Sequence, residues 1–174
     1  MRILFAFDVF EVSPDADEAF IAEWERARDA LATEDGFIAA ALYRAVRSDV
    51  EFRFVGVTRY TAPSGGLYEV VHEDGAPEGA GGVVLIEPVE VPADQDEHFL
   101  TGWERAHDVL ATQRGYLGTR LHHSVGAADF RFVNIARWSS PLAFFRAVRQ
   151  PAVQEAAAAM PFTSHPALYQ VIRD

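Results

Sequence analysis

The chain repeats itself, and a repeat of this size limits the architecture more than any other feature of the sequence. The run Phe20-Ile21-Ala22-Glu23-Trp24-Glu25-Arg26-Ala27-Arg28-Asp29-Ala30-Leu31-Ala32-Thr33 returns 79 positions later as Phe99-Leu100-Thr101-Gly102-Trp103-Glu104-Arg105-Ala106-His107-Asp108-Val109-Leu110-Ala111-Thr112. The match continues through Gly36-Phe37 against Gly115-Tyr116. After a one-residue slip, Phe52-Arg53-Phe54-Val55 aligns with Phe130-Arg131-Phe132-Val133. Upstream, Glu11-Val12 and Asp15 match Glu90-Val91 and Asp94. Identities this dense, with tryptophan among them, mark a tandem duplication of one small module.

Each copy reads the same way. A β-rich run (Ile3 to Val12; Val83 to Val91) leads into an acidic turn, Ser13-Pro14-Asp15 or Pro92-Ala93-Asp94, suited to starting a helix. The helix of the second copy carries apolar residues at Phe99, Trp103, Ala106 and Leu110, the spacing of one buried stripe. Gly36 and Gly115 are expected to stop the two helices. Two strand-like runs follow in each copy, Phe37–Val46 with Phe52–Tyr60 and Tyr116–Val125 with Phe130–Trp138. In the second copy Ser139-Ser140-Pro141 opens a helix over Leu142–Val148, the Ala-rich stretch to Met160 suggests another, and Leu168–Ile172 reads as a last strand. In the first copy Tyr60 is followed almost at once by the equivalent last strand, Leu67–Val71, so its second helix is lost. Glu73–Gly82, rich in Gly and Pro, reads as a flexible linker, and the repeats are drawn as 1–74 and 83–174 with 75–82 between them. The fold class is α+β: two fused ferredoxin-like βαββ(α)β repeats. Sheets of this kind leave one face bare, so the two are expected to pair within the chain as a dimeric α+β barrel.

Composition removes whole classes of function. Cysteine is absent, which excludes disulfides, thiolate catalysis and cysteine-based metal centres. The net charge of −11 argues against a nucleic-acid or anionic-membrane partner. Every Lys/Arg position is arginine, so Schiff-base chemistry and a P-loop lysine are also out. No dinucleotide fingerprint, Walker loop, HExxH or nucleophile elbow occurs. The short, acidic N-terminal run after Met1 is unlike a secretion signal, and no long apolar run is present, so a cytoplasmic protein is expected.

The segment Phe130-Arg131-Phe132-Val133-Asn134-Ile135-Ala136-Arg137-Trp138 carries the most chemistry. In a strand, alternate residues share a face, so Phe132, Asn134 and Trp138 line one wall. An amide and an indole on an aromatic wall can grip a flat, partly polar molecule. The phenylalanines suit a plain core equally well. Asn134 is different: an amide on an apolar face needs partners, and a ligand is one source. The first copy has Gly56 and Tyr60 at the matching positions and lacks the second helix, so one site per chain, in the second copy, is expected. His107 lies one helical turn beyond Trp103 and could carry a proton near neutral pH. A boundary histidine is the plainer alternative, since its counterpart is Arg28. His122 and His123 point to opposite faces of a strand, which makes them a poor metal pair, and no metal site is expected.

This segment, followed by Ser-Ser-Pro and a Phe-rich helix, resembles the antibiotic biosynthesis monooxygenase family, and the resemblance runs through both copies. Members are ferredoxin-like dimeric α+β barrels. Those of aromatic polyketide pathways oxidise anthrone-type rings to quinones with O2, without metal, flavin or nicotinamide. The resemblance implies Asn134 and Trp138 as catalytic residues, matching that group's Asn-x-x-x-Trp, with His107 as a proton-transfer candidate. Phe132, Trp103, Phe144, Phe145 and His122 are then expected to contact substrate. Phe144 stands where that group carries a pocket tyrosine, and Arg146 and Arg149 lie only near its pocket arginine. Haem-degrading relatives place a ligating histidine about ten residues after the tryptophan; here that region reads Ala147-Val148-Arg149. The partners implied are an aromatic small molecule and O2, with a homodimer left open and no cofactor. A polyketide cyclase on the same scaffold and a non-catalytic small-molecule-binding module are the alternatives.

Overall fold

The computed structural model describes residues 2–61 and 67–174. In chain order its main elements are β1 (Leu4–Phe10), α1 (Asp17–Leu31), β2 (Phe37–Ala45), β3 (Phe54–Tyr60), β4 (Tyr68–Gly75), β5 (Val83–Glu90), α2 (Asp96–Leu110), β6 (Tyr116–Ser124), β7 (Phe132–Trp138), α3 (Pro141–Val148), α4 (Pro151–Ala158), β8 (Thr163–Ser164) and β9 (Ala167–Arg173). The order is that of two ferredoxin-like α+β repeats. Two compact units form: Met1–Glu69 with Ser124–Gly126 and Tyr169–Asp174, and Val70–His123 with Ala127–Leu168. Most of β9 therefore belongs to the first unit and most of β4 to the second.

In the first unit, β3 lies between β1 and β2, all antiparallel, and β9 adds to the edge of β2 through Tyr43↔Val171 and Ala45↔Tyr169. The Tyr169 hydroxyl donates to the Phe52 carbonyl (2.8 Å) and pins that added strand. α1 covers the sheet through Phe20, whose ring stacks on Phe54 at 4.6 Å and meets Phe10 at 4.9 Å.

In the second unit, β7 lies between β5 and β6, and β8 extends the edge of β5. α2 lies on this sheet, with Phe99 stacked on Phe132 at 4.4 Å. The sheet face toward α2 carries two apolar clusters. One contains Val89, Phe99, Trp103, Leu121 and Phe132; the other contains Val83, Leu85, Ala136, Trp138 and Ala147. Pleat parity puts one residue of β5 and one of β7 between them, Glu87 and Asn134, which are direct cross-strand partners. A polar band thus crosses the middle of an otherwise apolar face.

Both long helices differ from the sequence expectation at their ends. Each is preceded by a 3-10 turn, Pro14–Ala16 or Ala93–Gln95, without a side-chain cap. They close at Leu31 and Leu110, ahead of Gly36 and Gly115 rather than at them. The intervening residues make tight turns, such as Glu34 N–H to Leu31 O and Gln113 N–H to Leu110 O. The glycines then adopt φ of 86° and 96° to launch the next strand. Their role is to open a strand, not to end a helix. Part of the stretch read as the start of a linker, including Glu73 and Asp74, is strand β4.

Candidate active site

A cavity of about 310 Å³ opens between the sheet of the second unit and its helices. That volume is at the low end for small-molecule sites, which run from about 300 to 1,000 Å³. Its walls are mostly apolar, with Trp103 and Leu110 from α2, Phe144 from α3, Val153 and Ala157 from α4, and Met160 beyond it. The floor is the polar band, Glu87, Asn134 and Thr119, flanked by Leu85, Ala136 and Trp138. Gly102 lets Met160 approach: a Cβ there would lie 2.3 Å from Met160 Cγ.

Asn134 is 7% exposed. The Thr119 hydroxyl is 3.0 Å from Asn134 Oδ1 and 2.9 Å from the Ile135 carbonyl. With Oδ1 assigned as the group facing Thr119, the Asn134 NH2 is the group left to donate elsewhere. Trp138 is 1% exposed, and its Nε1–H has no hydrogen-bond partner. Its ring meets Tyr116 and Phe144 edge-on at 5.4 and 5.8 Å. The indole ring forms part of the cavity wall, and a buried donor left without an acceptor costs about 1–3 kcal/mol.

Glu87 keeps part of its surface open to the cavity and is otherwise enclosed. Burial pushes its carboxyl pKa up, against a hydrogen bond from Ser164 that pulls it down. Desolvation disfavours the anion, so Glu87 holds a proton more tightly than an exposed carboxylate does and, once ionised, is the stronger base.

A second polar group borders the cavity. His107 Nε2 donates to Asp74 Oδ2 (2.6 Å), and the Tyr116 hydroxyl donates to Asp74 Oδ1 (2.5 Å), which also accepts from the Thr119 N–H (3.2 Å). Burial works to raise the Asp74 pKa, but hydrogen bonds from Tyr116, His107 and Thr119 outweigh it and hold the carboxyl below its ordinary value. Burial, with the Asp74 hydrogen bond, pushes the Tyr116 pKa up, so its hydroxyl stays protonated. The imidazole of His107 stacks on Trp103 at 4.9 Å with 12° between planes.

Of the residues expected from sequence, Asn134, Trp138, His107, Trp103 and Phe144 come together around this cavity. Phe132, Phe145 and His122 do not line it. Phe132 shares the face of Asn134 but is sealed beneath Phe99. Phe145 lies on the outer side of α3, 44% exposed. His122 is on the opposite face of β6 from Thr119 and fully buried, with Nδ1 3.0 Å from the Val133 carbonyl. Burial drops its pKa to about 3, so it is neutral. Glu87, Thr119, Tyr116 and Asp74 were not anticipated. Glu87 had a signal: it is a lone charge inside Val83-Val84-Leu85-Ile86-Glu87-Pro88-Val89, on the parity of Leu85.

The fold is that of a duplicated ferredoxin-like α+β protein, with the candidate cavity in its second unit. The family model described as antibiotic biosynthesis monooxygenase matches residues 5–61 and 82–159, and the chain belongs to that family. Among solved structures it is similar to an anthrone oxidase-like protein, with 16% identity over 99% of this chain and 92% of that one, and a TM-score of 0.74. It is also similar to a haem-degrading enzyme from Listeria monocytogenes (18% identity, 98% and 99% covered, TM-score 0.59). A third is a major regulator of staphylococcal pathogenesis (9% identity, 99% and 100% covered, TM-score 0.61). At these identities the likeness is one of fold. None of the curated proteins matches the chain by sequence. Among the described residues, no helix is long and apolar enough to cross a membrane.

Proposed function

We propose that the protein is a cofactor-independent oxygenase that converts an anthrone- or phenol-type aromatic polyketide intermediate to a quinone with O2. The observation that carries this is the polar band. A buried carboxyl, a carboxamide and an indole ring line a cavity whose remaining walls are mostly apolar and aromatic. A flat hydroxyaromatic or anthrone fits such walls, with its oxygen toward Asn134 and its rings against Trp138.

The ring C–H or O–H gives its proton to the Glu87 carboxylate, and the electrons remain on the ring as an enolate. The Asn134 NH2 donates to the enolate oxygen while the Trp138 indole packs against the ring system, and the apolar walls strengthen that hydrogen bond. The carbanion carbon of the enolate bonds to O2 and reduces it to a peroxide, which takes back the proton. Loss of water from the C–H/O–OH unit leaves the carbonyl. The balance is one CH2 and one O2 to one C=O and one H2O, so no outside reductant is needed. His107 Nε2 is engaged by Asp74, so we assign the proton to Glu87 and leave His107 to hold Asp74 and the Trp103 wall.

An oxygen electrode with a simple anthrone tests this. Uptake of one O2 per quinone formed is expected, falling at least tenfold in Asn134→Ala and in Trp138→Ala. Ring closure of a poly-β-ketone under anaerobic conditions, without O2 uptake on any anthrone, would instead identify a cyclase.

A further inference from the structure

Strand β4 carries His72 and Asp74 on one face, two residues apart. Both reach His107 of α2, and one ligand atom from each of His72, Asp74 and His107 lies within 4.8 Å of the other two. Asp74 Oδ2 is 2.6 Å from His107 Nε2 and 3.6 Å from His72 Nε2. The last separation is beyond a hydrogen bond, and His72 Nε2 is buried with no hydrogen-bond partner. Tertiary structure elsewhere holds the three groups in place. His107 stacks on Trp103, and His72 meets the same indole edge-on at 5.0 Å. The other oxygen of Asp74 is fixed by the Tyr116 hydroxyl and the Thr119 N–H. Hydrogen bonds of this kind orient a ligating carboxylate and keep it anionic.

We propose that His72, Asp74 and His107 form a binding site for a divalent first-row transition cation. Two imidazoles and one carboxylate suit the series from Fe2+ to Zn2+, whereas Mg2+ and Ca2+ require oxygen ligands. A cation about 2.1 Å from each ligand sets neighbouring ligand atoms roughly 3–3.5 Å apart. The His72–Asp74 distance is near that already, and the Asp74–His107 hydrogen bond opens by about half an ångström on binding. Binding replaces the proton that now bridges Asp74 and His107 and gives the orphaned nitrogen of His72 its partner. Three protein ligands leave coordination positions open, and because His107 lines the cavity the cation sits at its edge. The site draws on both repeats: β4 is the last strand of the first and α2 the first helix of the second. It does not depend on the oxygenase reading, and Glu87 is not among its ligands.

Calorimetric titration of chelator-treated, desalted protein with Zn2+ at neutral pH tests it, with Co2+ visible absorption as a second readout. One saturable equivalent is expected, unaffected by excess Mg2+. Binding weakens at least tenfold in His72→Ala and in Asp74→Asn and is unchanged in His98→Ala, whose ring lies against Ala159. Absence of saturable Zn2+ uptake by the wild-type protein overturns the proposal, and so does binding that survives both His72→Ala and Asp74→Asn intact. His72 has no part in the proposed oxidation, so His72→Ala keeps its metal-free O2 uptake, and the two ideas fail separately.

Discussion

At the start of each long helix an aspartate is gripped by an arginine from just ahead of the hairpin's second strand. Arg53 Nε and NH2 reach the Asp17 carboxylate at 3.1 and 2.7 Å, and Arg131 reaches Asp96 in the same fork at 2.6 and 2.7 Å. Duplication has kept this clamp in both copies. What it has not kept is the layer above the sheet. α2 buries Phe99, Gly102 and Trp103, whereas α1 buries no residue at all. The acid on the first strand is present in both copies, but Asp8 is exposed while Glu87 is enclosed. Opposite Asp8 stands Gly56 instead of an asparagine, and a Cβ there would already come within 3.3 Å of Trp24 Nε1. The cavity exists where a second helical layer, α3 and α4, covers the polar band.

The sharpest way to break this comparison is to change the two acids in turn. Glu87→Gln is expected to lower oxidation of an anthrone by about 10²-fold or more, the usual weight of a general base. Asp8→Asn should leave it within about twofold, since Asp8 is not among the residues lining the cavity over the second repeat's polar band. The pH dependence gives the sign. Burial raises the native pKa of Glu87, so the folded state holds its proton more tightly than the unfolded chain does. Its contribution to stability is complete below the unfolded carboxylate range and is lost as pH rises through the raised native value. Urea titrations across that window should show wild type losing ground to Glu87→Gln as pH increases. Equal slopes for the two would remove Glu87 from the account.

A smaller effect sharpens the same contrast. Gly115 has φ of 96°, and a Cβ there would sit 2.5 Å from Ala143 Cβ on α3 and 2.6 Å from Ser139 Oγ. Gly115→Ala should cost about 2 kcal/mol or more in a urea titration, combining backbone strain with overpacking against a helix that only the second copy has. A cost below about 0.5 kcal/mol would mean that α3 is not tightly docked there.

Much of this was legible in the sequence, because the duplication shows each element twice and the apolar alternation of β5 and β7 is strong. The amide–indole pair on one strand face followed from strand parity, whereas Trp103 and Phe144 entered through the family resemblance. β4 was harder. Its second half, Val71-His72-Glu73-Asp74-Gly75, has no apolar alternation and runs into glycines, so its polar residues read as a solvated connection. They are in fact held by Tyr116, His107 and Arg120, contacts across 33 to 47 residues that no local pattern carries. Phe132 and His122 were misplaced for related reasons. Parity names a face but not which stretch of it is sealed by Phe99, and His122 belongs to the parity opposite Thr119.

Absorbance titration with a stable hydroxyanthraquinone, which resembles the proposed product and cannot be oxidised further at the same carbon, asks most directly whether one cavity in the second copy is the site. One equivalent is expected to bind, with affinity at least tenfold weaker in Asn134→Ala and unchanged in Asp8→Asn. Two equivalents per chain, or affinity indifferent to Asn134→Ala, would contradict it.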